Sequence, residues 1–308
     1  VTGIAHDDVD AVLVLTSMNE HAALARSALE AGKHVLVEKP MATSITDARE
    51  LLRVSKSAKG VLVCAPHIVL SPTYRAMHAE VHSGKIGNVL LARARYGWAG
   101  PWWGQWYYRP GGGALFDLGI YNLMSLCGFM GPVRRVCAMV GTAIPRRMAE
   151  GAEIAVQSDD NAQVLLDFGD SRFACITTGF TMQKYRSPAI ELYGANGVLQ
   201  LLGDDWAPQG FERWTQEREV WEINEESEPL WPWTFGLRHL VECVAAGTQP
   251  VTKPEHALHG LEVMLAAQTS AREGRYVSIE SSFPPLDYRH MPAGDADDHR
   301  RKHDPRTA

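Results

Sequence analysis

Two short strings concentrate the residues able to move protons. The first, Ala31 to Pro40 (AGKHVLVEKP), ends an apolar run in a glutamate, a lysine and a proline. A charged pair directly after Val35, Leu36 and Val37 suits a buried strand whose carboxyl end opens on a crevice, which is where open parallel sheets bind ligands. Glu38 and Lys39 then project into that crevice, and Pro40 fixes the exit of the chain. The plainer alternative is a surface turn with an ordinary ion pair. The second string, Tyr107 to Leu123 (YYRPGGGALFDLGIYNL), runs three glycines into a helix carrying Asp117 and Tyr121 four residues apart, hence on one face. A carboxylate beside a phenol can orient it as a general acid or base. The plainer alternative is an acidic residue suited to a helix N-terminus and a buried tyrosine with a satisfied hydroxyl.

Between these strings Trp98, Trp102, Trp103, Trp106, Tyr107 and Tyr108 crowd together. Aromatic faces such as that of Trp103 suit the apolar faces of sugar rings, and Arg109 is placed to hold a hydroxyl or carboxylate. The alternative is a loop packed over a sheet or a subunit interface. His78 and His82 lie one helical turn apart without a third ligand in view, so no metal site is expected. Ser83-Gly84-Lys85 lacks the upstream glycines of a phosphate loop.

The elements that must position these groups read as follows. Asp10 to Thr16 (DAVLVLT) is a continuous apolar run, expected as a parallel strand buried on both faces. Asn19 is expected to cap a helix that stops at Gly32. His34 to Val37 is a second strand, Ser44 caps another helix with Asp47 at its third position, and Val61 to Ala65 is a third strand. This strand–helix alternation is a βαβαβ unit, half of a doubly wound fold. Ser71 and Pro72 open one more helix. Beyond Gly87 long β-type segments dominate, with a tight hairpin at Asn196-Gly197, before helices return at Thr234 to Ala246 and Glu255 to Glu273. The fold class expected is α/β: the C-terminal half of a Rossmann domain (1–68), then an α+β domain with a large, mostly antiparallel open sheet (69–288), then a disordered tail (289–308).

The bulk properties narrow the partners. The chain has 308 residues with 45% hydrophobic and 21% charged content, ordinary for a globular protein of two domains. A formal charge of −6 argues against nucleic acid and anionic membrane surfaces. No apolar run reaches the ~18–20 residues of a membrane helix. Five scattered cysteines without a C-x-x-C pair point to reduced thiols and a cytoplasmic location.

The stretch DAVLVLTSMNEHAALARSALEAGKHVLVEKPMA resembles the signature of the glucose–fructose oxidoreductase / inositol dehydrogenase (Gfo/Idh/MocA) family. The family's Thr-Pro-Asn segment with its following histidine corresponds to Thr16, Ser17, Asn19 and His21, with serine for proline and the asparagine one place late. The resemblance implies that these residues line the nicotinamide end of NAD or NADP. It also implies that Glu38 contacts the nicotinamide ribose side, and that Lys39 reaches both substrate and cofactor. The glycine-led helix matches too, with Asp117 positioning the substrate hydroxyl. Tyr121 stands where many members carry histidine, which agrees with the branch similar to glucose–fructose oxidoreductase and dihydrodiol dehydrogenases. Lys39 is expected to lower the phenol from its usual ~10 toward phenolate. His67 falls near the family's asparagine after the third strand and is a candidate substrate contact. The implied activity is an NAD(P)-dependent dehydrogenase of a sugar, polyol or related secondary alcohol, working as a homodimer or homotetramer. A glycosidase-like relative that keeps NAD bound and a non-catalytic sugar sensor are the rivals. The resemblance spans nearly all of residues 1–285 but begins partway through the family's first domain. The G-x-G-x-x-G turn is therefore expected upstream of Val1, the chain to be N-terminally truncated, and the choice of NAD or NADP to lie outside it.

Overall fold

A computed structural model describes residues 4, 6–186, 188–225, 231 and 235–291. The tail expected to be disordered lies, from residue 292 on, outside the described residues.

The first unit is a parallel sheet ordered β1-β2-β3, formed by Ala11–Val14, His34–Val37 and Leu62–Cys64. Helices α1 (His21–Glu30) and α2 (Ile45–Ser57) make the crossovers. Each buries a stripe at helical spacing: Ala25, Ala28 and Leu29 on α1, and Ala48, Leu51 and Val54 on α2. Ser44 caps α2 as its sequence predicts, accepting from the Asp47 amide at 3.1 Å. Two expectations fail. Asn19 does not cap α1; it lies in the short 3-10 turn Met18–Glu20 that precedes it. β1 is not buried on both faces, because Leu13 and Leu15 are 41% and 61% exposed. β1 pairs only with β2 among the described residues, so its apolar pattern has cover on one side alone.

The short turn Ile68–Leu70 leads into α3 (Pro72–His82) and the long strand β4 (Val89–Gly97). After the aromatic loop come a π-helical turn, Leu115–Gly119, and α4 (Ile120–Met130). The strands that follow are β5 (Arg135–Gly141), the small hairpin β6 (Arg146–Ala149) and β7 (Ala152–Ala155), β8 (Asn161–Gly169), β9 (Arg172–Gly179), β10 (Ile190–Gly194), β11 (Gly197–Asp204), β12 (Ala207–Thr215) and β13 (Trp221–Glu225). Helices α5 (Phe235–Ala246) and α6 (Pro254–Glu273) and the short strand β14 (Val277–Ser278) complete the described chain.

Nine strands form one sheet, ordered β13-β12-β11-β10-β4-β9-β8-β5-β14, antiparallel except for β4 with β9. The β10–β11 hairpin turns through Ala195 and Asn196, with Gly197 already paired in β11. One face of this sheet is covered by α4 and α6. α4 is apolar almost all round and nearly every residue is buried, as a helix lying between layers requires. α6 also packs against α2 and β3, joining the two units through one apolar core. On the other face Leu91, Met139, Leu165 and Phe173 stand exposed.

Candidate active site

The two strings meet. β2 ends in Val37, fully buried, and the chain then delivers Glu38 and Lys39 to the mouth of a cleft of about 800 Å³ between the two sheets. Lys39 Nζ donates to Asp117 Oδ1 at 2.5 Å and to the Asp117 carbonyl at 2.7 Å. The same ammonium stands 5.2 Å from the centre of the Tyr121 ring. Glu38 turns back, accepting from the Lys39 amide at 3.1 Å.

Glycine makes this approach possible at two places. Gly113 has φ +105, and a Cβ there would lie 2.4 Å from Asp159 Oδ1. At Gly112 a Cβ would lie 2.5 Å from the Tyr107 carbonyl. Asp159 in turn accepts from the Leu115 amide at 2.8 Å, anchoring the turn that carries Asp117. That turn is π-helical rather than α-helical, so the simple helix expected from the spacing is corrected here. Asp117 still shares the cleft with Tyr121.

The electrostatics separate two roles. Burial pulls the Lys39 ammonium toward neutrality, but Asp117, with help from Tyr121 and Glu38, outweighs it and holds the amine charged, above its usual range. Tyr121 goes the other way from the expectation. Burial raises its phenol, Lys39 opposes this, Glu38 and Asp117 add to it, and the hydroxyl is pushed up to about 12. Lys39 does lower it, but less than desolvation raises it.

The remaining predicted residues divide. Thr16 and Trp103 line the cleft with Lys39, Glu38, Asp117 and Tyr121. Trp103 stacks on Trp98 with ring centres 5.3 Å apart, so this part of the aromatic loop faces the cleft. His21 also borders it, but its two ring nitrogens lie 2.7 Å from the Pro40 carbonyl and 3.0 Å from the Thr16 carbonyl. It ties the ends of β1 and β2 together and has no ring nitrogen left for a ligand. Ser17 and Asn19 are exposed beside this edge and do not line the cleft. Arg109 is exposed, bonded to Gln105 at 3.0 Å, and is likewise outside the lining. His67 is buried behind Tyr121, bordering a cavity of about 10 Å³ shared with Glu38, Tyr121 and Trp206, the space of one water. Burial and then His239 hold its imidazole down to about 4, so it is neutral.

Sequence reading missed Tyr96, Gln183, Lys184, Tyr185, Asp204 and Trp206, which also line the cleft. They come from β4, the segment after β9 and the β11–β12 turn. No local motif marks them; only sheet topology gathers them. Among the described residues no three His, Cys, Asp or Glu side chains converge as a metal site would require.

Comparison with known proteins agrees with this architecture. A sequence model described as "Oxidoreductase family, NAD-binding Rossmann fold" matches residues 3–65, and one described as "GFO/IDH/MocA C-terminal domain" matches residues 74–200. The chain is 35% identical over 204 residues to 1,5-anhydro-D-fructose reductase of Ensifer adhaerens, covering 64% of this chain and 58% of that protein. It is 28% identical over 213 residues to trans-1,2-dihydrobenzene-1,2-diol dehydrogenase of Macaca fuscata fuscata, covering 65% and 57%. The match thus spans little more than half the length of these curated relatives. A solved levoglucosan dehydrogenase, in complex with NADH and L-sorbose, superposes with a TM-score of 0.81 at 19% identity, covering 91% of this chain and 82% of that one, which speaks for the fold. On both domain matches, one over the parallel unit and one over the first part of the large-sheet unit, the chain belongs to the Gfo/Idh/MocA family of oxidoreductases.

Proposed function

We propose that this protein is an NAD(P)-dependent oxidoreductase that moves hydride between nicotinamide and a secondary alcohol of a sugar, polyol or cyclic diol. The observation that carries the reading is the Lys39–Asp117 pair set against Tyr121 in a cleft at the carboxyl ends of β1 and β2. Thr16, Met18 and Glu38 line that edge, and two polar side chains with an apolar one suit the nicotinamide-ribose end of NAD or NADP. When bound, the nicotinamide supplies the hydride acceptor or donor.

The side chains of this protein handle the proton. Tyr121 starts as a neutral phenol. In the reducing direction it gives its proton to the carbonyl oxygen of the substrate, and the Lys39 ammonium stabilises the phenolate left behind. In the oxidising direction Tyr121 oxygen takes the hydroxyl proton. Asp117 keeps Lys39 charged and aimed. Trp103 and Trp206 border the cleft and offer flat apolar faces to a ring. Two of the relatives are named for an anhydro-sugar and a cyclic diol, which supports that substrate range. The exposed apolar face of the large sheet suits a homodimer or homotetramer, and the five free cysteines suit a cytoplasmic setting.

The test is nicotinamide absorbance with NAD+ or NADP+ and a panel of sugars and diols. Tyr121→Phe and Lys39→Met should lose turnover by about a hundredfold or more. Turnover unchanged in Tyr121→Phe would sink the assignment. Net reduction of added cofactor separates it from a glycosidase that merely borrows NAD.

A further inference from the structure

The β11–β12 turn consists of Asp205 and Trp206, between the paired residues Asp204 and Ala207. Asp204 and the two turn residues have different tasks. Asp205 is buried, 1% exposed, and accepts from Asn122 Nδ2 and Ser125 Oγ, each at 2.7 Å. Both donors lie on α4, and Asn122 directly follows Tyr121. The turn is therefore bolted to the helix that carries the proton-transfer group.

Asp204 faces the cleft instead. Tyr185 Oη donates to its Oδ1 at 2.6 Å, fixing the carboxylate. No hydrogen bond from a described residue reaches its other oxygen, which stays an acceptor. Trp206 borders both the cleft and the small cavity that Tyr121 and Glu38 also line, so it adjoins the proton-transfer group as well as Asp204. Tyr96, which meets the Tyr121 ring edge-on at 5.8 Å, lies within electrostatic reach of Asp117 and Asp204 alike.

We propose that Asp204 and Trp206 form a second anchor for the substrate, accepting a hydroxyl remote from the reacting carbon and stacking on the ring that bears it, so that the site selects neutral polyhydroxylated rings over simple alcohols. The charge of the lining agrees: Glu38, Asp117 and Asp204 oppose Lys39 and Lys184, three negative against two positive, which favours hydroxyl donors over carboxylated or phosphorylated rings. A free carboxylate oxygen is a charge-assisted acceptor for an O–H group, and an indole face suits the C–H face of a sugar ring. The dehydrogenase reading enters only in naming Tyr121 as the reacting end.

Binding, not turnover, tests this. Ligand-observed NMR on the full chain would titrate D-xylose, D-glucose and cyclohexanol as probes. Asp204→Ala and Trp206→Ala should each weaken D-xylose binding by about tenfold or more, and Asp204→Asn by less. Cyclohexanol, which lacks a remote hydroxyl, should bind wild type weakly and the two Asp204 variants alike. Asp204→Asn keeps the shape of the side chain and serves if the alanine variant fails to fold. The proposal is overturned if every Asp204 variant that folds binds D-xylose within twofold of wild type, if cyclohexanol binds wild type as tightly as the sugars, or if neither sugar binds. Asp204-dependent sugar binding without any cofactor-linked turnover would leave this anchor standing and remove the dehydrogenase reading instead.

Discussion

Removing Asp117 should unmask the cost of burying Lys39. The two side chains are only 10% and 11% exposed, so water screens their interaction little. Breaking a buried pair from one side leaves a charge without its partner and costs ~3–5 kcal/mol. At roughly 2–4 °C per kcal/mol for a chain of this size, Asp117→Ala should melt about 10 °C below wild type. The bond from Lys39 Nζ to the Asp117 carbonyl survives the substitution and keeps the loss toward the lower end. The sign with pH follows from the direction of the shift. The folded-state pKa of Lys39 is raised above its ordinary 10.5, so the stabilisation is complete below that value and fades as pH rises through the folded-state pKa. The assay is thermal unfolding of Asp117→Ala, Lys39→Met and the double variant, as a cycle. The double variant should be more stable than the sum of single effects predicts, with a coupling of about 2 kcal/mol or more. Additivity within ~0.5 kcal/mol would mean that the pair does not act as a unit, and the reasoning above would fail.

Other outcomes follow from the same geometry. Sugar oxidation should speed up with pH, by about tenfold per unit below the phenol's pKa, because only phenolate accepts the proton and Tyr121 is held up to about 12; a flat profile from pH 7 to 9 would contradict a tyrosine base. Gly113→Ala should cost ~2 kcal/mol or more and abolish turnover, since φ is +105 and the new methyl meets Asp159; circular dichroism melts and a turnover assay would check both. Stability should fall on acidification from pH 7 to 5. His67, His256 and His259 are buried and held to about 4, so each loses ~2 kcal/mol as the unfolded imidazoles take up protons. Asp159 and Asp205, raised to about 6 by burial, work the other way and each gain ~1.4 kcal/mol, for a net loss on the order of 3 kcal/mol. Denaturant titrations at the two pH values would measure it, and a rise in stability would refute the balance.

The sequence alone determined the alternation that builds the parallel unit, the shift to long strands beyond Gly87, and the strings bearing Glu38, Lys39, Asp117 and Tyr121. Those features are local. Apolar period, cap residues such as Ser44, and glycines before a helix act over a few residues, so they are legible in order along the chain. The tertiary structure decided what is set by neighbours far away in sequence. It showed β1 covered on one side only, and it set both ring nitrogens of His21 against backbone carbonyls. It placed Arg109 at the surface and His67 behind the cleft, and it reversed the expected shift of Tyr121, because desolvation depends on everything packed around a ring and not on one nearby cation. It also brought Tyr185, Asp204 and Trp206 to the cleft through the pairing of β4, β10, β11 and β12. A side chain's periodic face can be read from its neighbours in sequence; what lies opposite that face is fixed only when the sheet closes over it.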